Sequence, residues 1–404
     1  MRIGILVNGR SHEGGVTTYI NTIVDPLRSL GHQVDVITAF GISPYRPIRS
    51  SFTSGTDKAL KNRPWMTWAA YQVSRILLGW HLIRGCFAGR RLEGENKGIY
   101  RVVISIDASS AIVANFLRRF IPFKVVERVG GLLAKDLVVQ GKIPEDSLLH
   151  RYFRSQERKA YAGSNIVVPI SSWMQNYVKS MAPTSNVAPP MINGVNPSVF
   201  YADKENTGEL RAEMDLEDVF VVFFPSRLEH RKGVMVALMA LEILLKDGEN
   251  VALLFAGRGP AEDDIRDYIR EKKLEAFVRL TGPVPKEKMR ELYNLADVAI
   301  VPSITTAGWE EPLANCPLEA MACGTPVIAS RMGGLVDSVI EGETGLLVSE
   351  NSPPDLAAGI AQVIKSKELR DRLTEGAFRL TSSRCSAIAS ARHLNDIVAG
   401  VQTL

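Results

Sequence analysis

The sequence predicts an α/β protein built from two Rossmann-like halves, and three observations carry that prediction. Short apolar runs alternate with stretches of helical periodicity along the 404 residues, the pattern of a parallel sheet with helical crossovers. The rhythm breaks once, at a stretch rich in proline and turn residues before residue 200, and then restarts. The length leaves room for two or three domains, each large enough for its own core.

In the first half, Ile3–Val7 reads as a strand, followed by a polar loop ending in Gly14-Gly15. Val16–Leu30 has helical periodicity and stops at Gly31, and Val34–Thr38 is the next strand. Val102–Ile106 and Lys124–Arg128 repeat the strand pattern, each before a polar or Gly-rich loop. Ile166–Pro169 leads into Ser171-Ser172 and a helix through Val178. Ala182–Pro190 then holds three Pro in nine residues, and Asn193-Gly194-Val195-Asn196-Pro197 is a turn cluster. Beyond it come strands at Val219–Pro225, Ala252–Ala256, Val278–Leu280, Val298–Val301 and Pro326–Ala329. Helices at Val234–Leu245 and Glu262–Lys272 separate the first of these. The division expected is 1–200, 201–383 and a C-terminal helix in 384–404.

Composition bounds the function classes. Hydrophobic content of 46% with 23% charge describes a soluble globular chain. The net charge of +4 is slight, but residues 58–92 hold seven Lys or Arg and no acid, which leaves the rest of the chain at −3. Cys86, Cys316, Cys323 and Cys385 have neither paired nor metal-ligand spacing, so a reduced, cytoplasmic setting is expected. The N-terminus reads as a strand rather than a signal peptide, and no apolar run is long enough to predict a transmembrane helix.

The chemistry concentrates in Glu311-Pro312-Leu313-Ala314-Asn315-Cys316-Pro317-Leu318-Glu319. Asn315 can cap a short helix, Pro317 suits its first turn and Gly324 can close it. Glu319 then lies on the opening turns and Glu311 in the loop before, two carboxylates flanking a helix N-terminus that favours phosphate. A phosphate between two hydroxyl-binding acids points to a nucleotide-sugar. The loop after Val219–Pro225 adds a guanidinium fork, Arg227, and a point charge, Lys232, suited to a diphosphate.

The Glu pair with its Ala320–Ala329 tail resembles the signature of family 4 retaining glycosyltransferases, which have the GT-B fold. Arg227-Leu228-Glu229-His230-Arg231-Lys232-Gly233 is similar to the Arg-Leu-x-x-x-Lys-Gly motif of that family, and Gly257-Arg258-Gly259-Pro260 to its Gly-x-Gly-Pro turn. Arg331-Met332-Gly333-Gly334-Leu335-Val336-Asp337 resembles its Gly-Gly-x-x-Glu loop, with Asp337 at the Glu position. Asn193-Gly194-Val195-Asn196 with Phe200 resembles the segment leading to its interdomain linker.

The resemblance implies two Rossmann-like domains facing across a cleft, the C-terminal helix crossing back to the first. Donor binding falls to the second domain: Arg227 and Lys232 on the diphosphate, Glu311 near the sugar hydroxyls, Glu319 on the ribose. The backbones of Leu313, Ala314 and Asn315 face sugar or phosphate. Gly257 and Gly259 permit close approach, Pro283 and Val284 lie by the base, and Gly15 lies near the phosphates. The family more often has Phe-Gly where Leu313-Ala314 stands.

The acceptor falls to the first domain, which departs most from the family: the loop after Lys124–Arg128 lacks the usual His. Arg128, Gly130 and Asp107 are the candidate acceptor or sugar contacts there. For Asp107 a plain helix cap is an equal reading, as a plain turn is for Gly14-Gly15.

No Asp-x-Asp occurs, so metal-independent transfer is expected, with no cofactor and a UDP-, GDP- or ADP-sugar as donor. The acceptor expected is a glycan or a lipid-linked one. Trp65, Trp68, Tyr71 and Trp80 stand among Lys58, Lys61, Arg63, Arg75, Arg84, Arg90 and Arg91, a mixture suited to an anionic membrane surface. A helical pair with its aromatics in a core accounts for the same residues; nucleic acid does not, since no recognised module is present. Two rival functions stay open: a nucleotide-sugar epimerase or hydrolase on a related fold, and a sugar-nucleotide-binding scaffold that has lost catalysis.

Overall fold

A computed structural model describes residues 1–8, 15–39, 41–43, 64–88 and 99–402. The expectations for Gly14, Lys58, Lys61, Arg63, Arg90 and Arg91 lie outside the described residues. The chain divides into two compact units, Met1–Asn193 with Ile388–Leu404, and Gly194–Ala387. Both are α/β, and each is built on a six-stranded sheet.

The first sheet holds β1 (Arg2–Val7), β2 (Gln33–Thr38), β3 (Gly41–Ser43), β4 (Val102–Ser105), β5 (Lys124–Val129) and β6 (Ile166–Pro169). Their order is β3-β2-β1-β4-β5-β6, all parallel except β3, which pairs antiparallel with β2 at the edge. Ile3 and Ile5 of β1 stand level with Val34 and Val36 on one side and with Val102 and Ile104 on the other. These six side chains point to one face of the sheet, as period 2 requires. There they meet Tyr19, Ile20, Ile23, Val24 and Leu27 of helix α1 (Gly15–Ser29). Ala391, Leu394, Val398 and Val401 of the C-terminal helix join the same cluster.

The opposite face buries Leu6, Ile37, Val103 and Val125 beneath helix α2 (Pro64–Ala88) and helix α3 (Ala108–Leu117). Among the described residues α2 is a single helix of 25 residues; the remainder of 58–92, the segment of the expected helical pair, lies outside them.

The second sheet holds β7 (Phe220–Phe224), β8 (Val251–Phe255), β9 (Val278–Leu280), β10 (Val298–Val301), β11 (Val327–Ser330) and β12 (Gly345–Val348). It is fully parallel, in the order β12-β11-β10-β7-β8-β9. Counted within its own unit this is again 3-2-1-4-5-6. The order reverses between β7 and β10, and ligands of such sheets bind beyond the carboxyl ends at that point. The loops leaving β7 and β10 carry Arg227, Lys232 and Glu311.

Candidate active site

Strand β7 ends at Phe224, and the chain turns through Pro225–Glu229 into a single 3-10 turn, His230–Lys232. Gly233 then takes a left-handed conformation, φ 78°, and starts a helix at Val234. A Cβ at Gly233 would lie 1.8 Å from the carbonyl oxygen of Pro302, the first residue beyond β10. Only glycine allows that approach, and the approach sets Lys232 against the β10 loop.

The β10 loop meets it halfway. Ile304 N donates to Arg231 O at 2.9 Å, so the two loops are bound backbone to backbone. The chain reverses at Thr306–Trp309, where Thr306 and Trp309 exchange both backbone hydrogen bonds around Ala307 (φ 48°) and Gly308 (φ 64°). Two consecutive positive φ angles are the signature of a tight hairpin turn. The buried Trp309 ring returns beneath the cations, with the Arg231 guanidinium 4.1 Å and Lys232 Nζ 5.7 Å from its centroid.

At the centre Lys232 Nζ pairs with Glu311 Oε2. The side chains are only 15% and 6% exposed, so neither charge can be left alone cheaply. Ser303, fully buried, donates its hydroxyl to the same oxygen at 3.4 Å. The Glu311 backbone is pinned as well: Gly334 N donates to its carbonyl at 2.8 Å, and a Cβ at Gly333 would sit 2.2 Å from that oxygen. The neighbouring Glu310 accepts from Gly333 N at 3.1 Å, which gives the two adjacent acids different roles.

Arg227 is the exposed member of the group, with 72% of its side chain open to solvent. Glu229 holds it at 2.7 Å and holds Arg231 at 2.5 Å through its other oxygen. Burial pushes the Glu229 carboxyl up, but Arg231, Arg227 and Lys232 more than reverse that and hold it below the usual carboxylate range. A fixed anion between two guanidinium groups aims a flexible, solvent-facing fork.

Glu319 lies in the first turn of a helix spanning Cys316–Ala322. Pro317 stands in that turn, and Gly324 follows the helix at φ 71°. Asn315 occupies the cap position, yet its side chain makes no capping hydrogen bond. At seven residues the helix has a short dipole. Tyr293 donates its hydroxyl to Glu319 Oε2 at 3.0 Å. Burial raises the Glu319 carboxyl, with Lys286 and the Tyr293 hydroxyl opposing. Burial likewise pushes the Cys316 thiol up to about 12 despite Lys232, with Glu319 and Glu311 adding to the rise. The thiol therefore stays protonated and is no nucleophile.

The remaining donor-side candidates assemble around the β7 loop. A Cβ at Gly257 would meet Ser226 O at 2.5 Å, and one at Gly259 would meet Leu228 O at 2.2 Å. Gly257 N donates to Gly282 O at 2.9 Å, bringing in the loop of Pro283 and Val284 after β9. Leu313, Ala314 and Asn315 lead from Glu311 into the helix, with Ala314 buried.

The first-unit candidates are less open. Asp107 caps α3: it accepts from Ser110 N and from Asn8 N, each at 2.9 Å. Arg128 is 2% exposed; its Nη2 donates to Met191 O at 3.1 Å and to Asn193 Oδ1 at 2.5 Å, and the group lies 4.0 Å from the Tyr19 ring centroid. Both residues are engaged within the unit, so their expected acceptor contacts would require displacing packing. Gly130 is exposed just beyond β5, and Gly15 opens α1.

Sequence reasoning missed Glu229, Ser303, Trp309 and Tyr293. Glu229 lies inside the Arg227–Lys232 motif, two residues from each of its guanidinium partners, and that spacing was a usable signal. The other three reach the site through tertiary contacts that no local pattern encodes.

Comparison with known proteins bears on this geometry. Residues 207–379 match the family model of glycosyl transferases group 1. An uncharacterized glycosyltransferase of Methanocaldococcus jannaschii is 25% identical over 383 residues, 90% of this chain and 88% of that protein. A D-inositol 3-phosphate glycosyltransferase of Corynebacterium glutamicum is 35% identical over 189 residues, so the match spans 44% of each protein. Among solved structures, a sucrose-phosphate synthase from Thermosynechococcus elongatus has a TM-score of 0.72 at 20% identity, covering 100% of this chain and 99% of that one. The HepE protein of Anabaena, solved with UDP, has a TM-score of 0.73 at 18% identity, covering 99% and 100%. The two-sheet α/β fold is shared with the GT-B glycosyltransferases, and residues 207–379 of the second unit are similar to the group 1 family model.

Proposed function

We propose that this chain transfers a sugar, with retention of configuration, from a nucleoside-diphosphate sugar held by the second unit to an acceptor held by the first. One observation carries the reading: the β7 and β10 loops bring Arg227, Lys232 and Glu311 together at the point where the strand order reverses. Two cations and a hydroxyl-binding carboxylate there match the two ends of a sugar diphosphate.

In this mechanism Arg227, exposed and aimed by Glu229, takes the distal phosphate oxygens through its fork. Lys232 supplies the compact charge at the phosphate that leaves. Glu311 accepts from the sugar hydroxyls, and its pairing with Lys232 fixes the distance between sugar and leaving group. Glu319, one helical turn further on and oriented by Tyr293, accepts from the ribose.

The bond from anomeric carbon to phosphate oxygen breaks as the cations stabilise the growing charge on the diphosphate. The acceptor oxygen attacks from the face the diphosphate vacates, and its proton passes to the departing phosphate oxygen. No protein nucleophile takes part. With charge neutralised by Arg227 and Lys232, the reaction runs without a divalent metal.

The test is turnover of UDP-, GDP- and ADP-sugars against glycan and lipid-linked acceptors, with and without a chelator. UDP-glucose is the first donor to try, since HepE was also solved with it. The product anomer is read by NMR. A retained anomer, insensitivity to chelator and loss of turnover in Lys232→Ala are expected; an inverted anomer refutes the retaining mechanism. Sugar isomerised without acceptor would instead establish an epimerase, and absence of turnover with every donor would favour a binding scaffold.

A further inference from the structure

Helix α2 is apolar on two opposite sides. Leu78, Leu82 and Cys86 are buried against the first sheet, and a Cβ at Gly79 would lie 3.5 Å from Val113 of α3. Tyr71 is partly buried and packs against the core as well, edge-on to Phe153 at 5.3 Å. Arg75 is buried among Gln156, Ser109 and Tyr152, so it is not a surface cation. The other side holds Val73 (57% exposed), Ile76 (72%), Leu77 (40%) and Trp80 (59%). Their spacing of i, i+3, i+4 and i+7 makes them one face, and the exposed Arg84 continues it one turn on. Four large apolar groups in a row on a solvent face are far from the usual scatter of single ones.

The charge pattern selects what covers this face. From residue 58 to 92 the sequence has no Asp or Glu, while Lys61 and Arg63 precede the helix and Arg90 and Arg91 follow it. A second copy would bring the same cations against each other, and one helical face falls short of the ~800 Å² per partner of a stable interface. The inner face is committed to the core, so α2 can enter a bilayer by its outer face alone, and among the described residues no helix is long and apolar enough to cross a membrane. An apolar stripe ending in cations, with Trp80 on it, fits the headgroup layer of an anionic bilayer.

We propose that α2 seats the first unit on an anionic phospholipid surface, with Val73, Ile76, Leu77 and Trp80 entering the acyl boundary and Arg84 on the headgroups. The face belongs to the first unit alone and shares no residue with the donor site.

The experiment is co-sedimentation of the full chain with vesicles of phosphatidylcholine, with and without phosphatidylglycerol. Binding to the anionic vesicles alone is expected, and high salt should weaken it as the Debye length falls. Arg84→Glu should weaken binding at least about tenfold, at about fivefold per unit charge. Ile76→Ala with Trp80→Ala should do the same through lost apolar burial. All three positions are solvent-facing, so unchanged circular dichroism melts are expected and separate lost docking from lost folding. Absence of binding to anionic vesicles, equal binding to neutral ones, or variants that bind like wild type overturn the proposal. So does a concentration-dependent dimer in solution that the Ile76/Trp80 variant abolishes. Vesicle binding needs no sugar transfer, so its failure leaves the transferase reading standing, and the converse holds.

Discussion

Replacing Lys232 by Ala perturbs two things, and the structure allows them to be separated. The Lys232–Glu311 pair is nearly buried, and among the described residues the Glu311 carboxylate accepts, apart from Lys232, only a long 3.4 Å bond from Ser303. Truncating Lys232 strands that charge, and breaking such a pair costs about 3 kcal/mol. In a unit of this size that lowers the melting temperature by roughly 6–12 °C. Adding Glu311→Gln removes the stranded charge, so the double variant should lose only about 1 kcal/mol, leaving a coupling of about 2 kcal/mol or more. Catalysis should not follow stability. If Lys232 stabilises the leaving diphosphate, the single and double variants both lose about 100- to 1000-fold in kcat. Thermal melts and donor turnover on wild type, both single variants and the double variant complete the cycle. Turnover that recovers with stability in the double variant would refute the catalytic role of Lys232. Additive stability effects would refute the buried pair.

Arg227→Ala should show the opposite profile: 72% of that side chain is exposed, so stability changes by less than about 0.5 kcal/mol while kcat falls about 100-fold. Matched melts and initial rates check it, and a rate within a few-fold of wild type contradicts the diphosphate role.

In the first unit, burial pushes Glu127 up to about 8, and Asp107 and Glu157 add to the rise, against a hydrogen bond from Ser164. The single hydroxyl hydrogen of Ser164 is shared between Ala160 O and Glu127 Oε2, each at 2.9 Å, and Oε1 has no partner among the described residues. A protonated Glu127 supplies the missing hydrogen. A carboxyl with a raised folded pKa contributes stability that is complete below its unfolded value near 4.5 and lost as pH rises through about 8. Between those values stability should fall by up to ~1.4 kcal/mol per pH unit for this group. Glu127→Gln should flatten that slope in melts taken across the window; an unchanged slope assigns it elsewhere.

The sheets were legible because their strands are short apolar runs ended by loops, and β6, β9 and β10 begin and end where the sequence placed them. The three-residue edge strand β3 was not, since so short a segment has no periodicity and is defined only by pairing with β2. At the site, Arg227, Lys232, Glu311 and Glu319 were readable as residue types at motif spacing. What fixes them was not: Trp309 packs beneath the cations only after the 306–309 turn, and Tyr293 arrives from a separate helix. Arg128 shows the opposite limit. A charged residue at a strand end reads as exposed, and only the fold shows Tyr19, Met191 and Asn193 closing over it.

The central claim is that the second unit holds a nucleoside diphosphate with Glu319 on the ribose. Calorimetric titration of UDP, GDP, ADP and inorganic pyrophosphate into wild type and Glu319→Ala tests it most directly. One of the three nucleotides should bind wild type, and Glu319→Ala should weaken that nucleotide at least about tenfold, the loss of a charged hydrogen bond, while leaving pyrophosphate unchanged. Failure of all three nucleotides to bind, or an equal loss for nucleotide and pyrophosphate, would contradict the account.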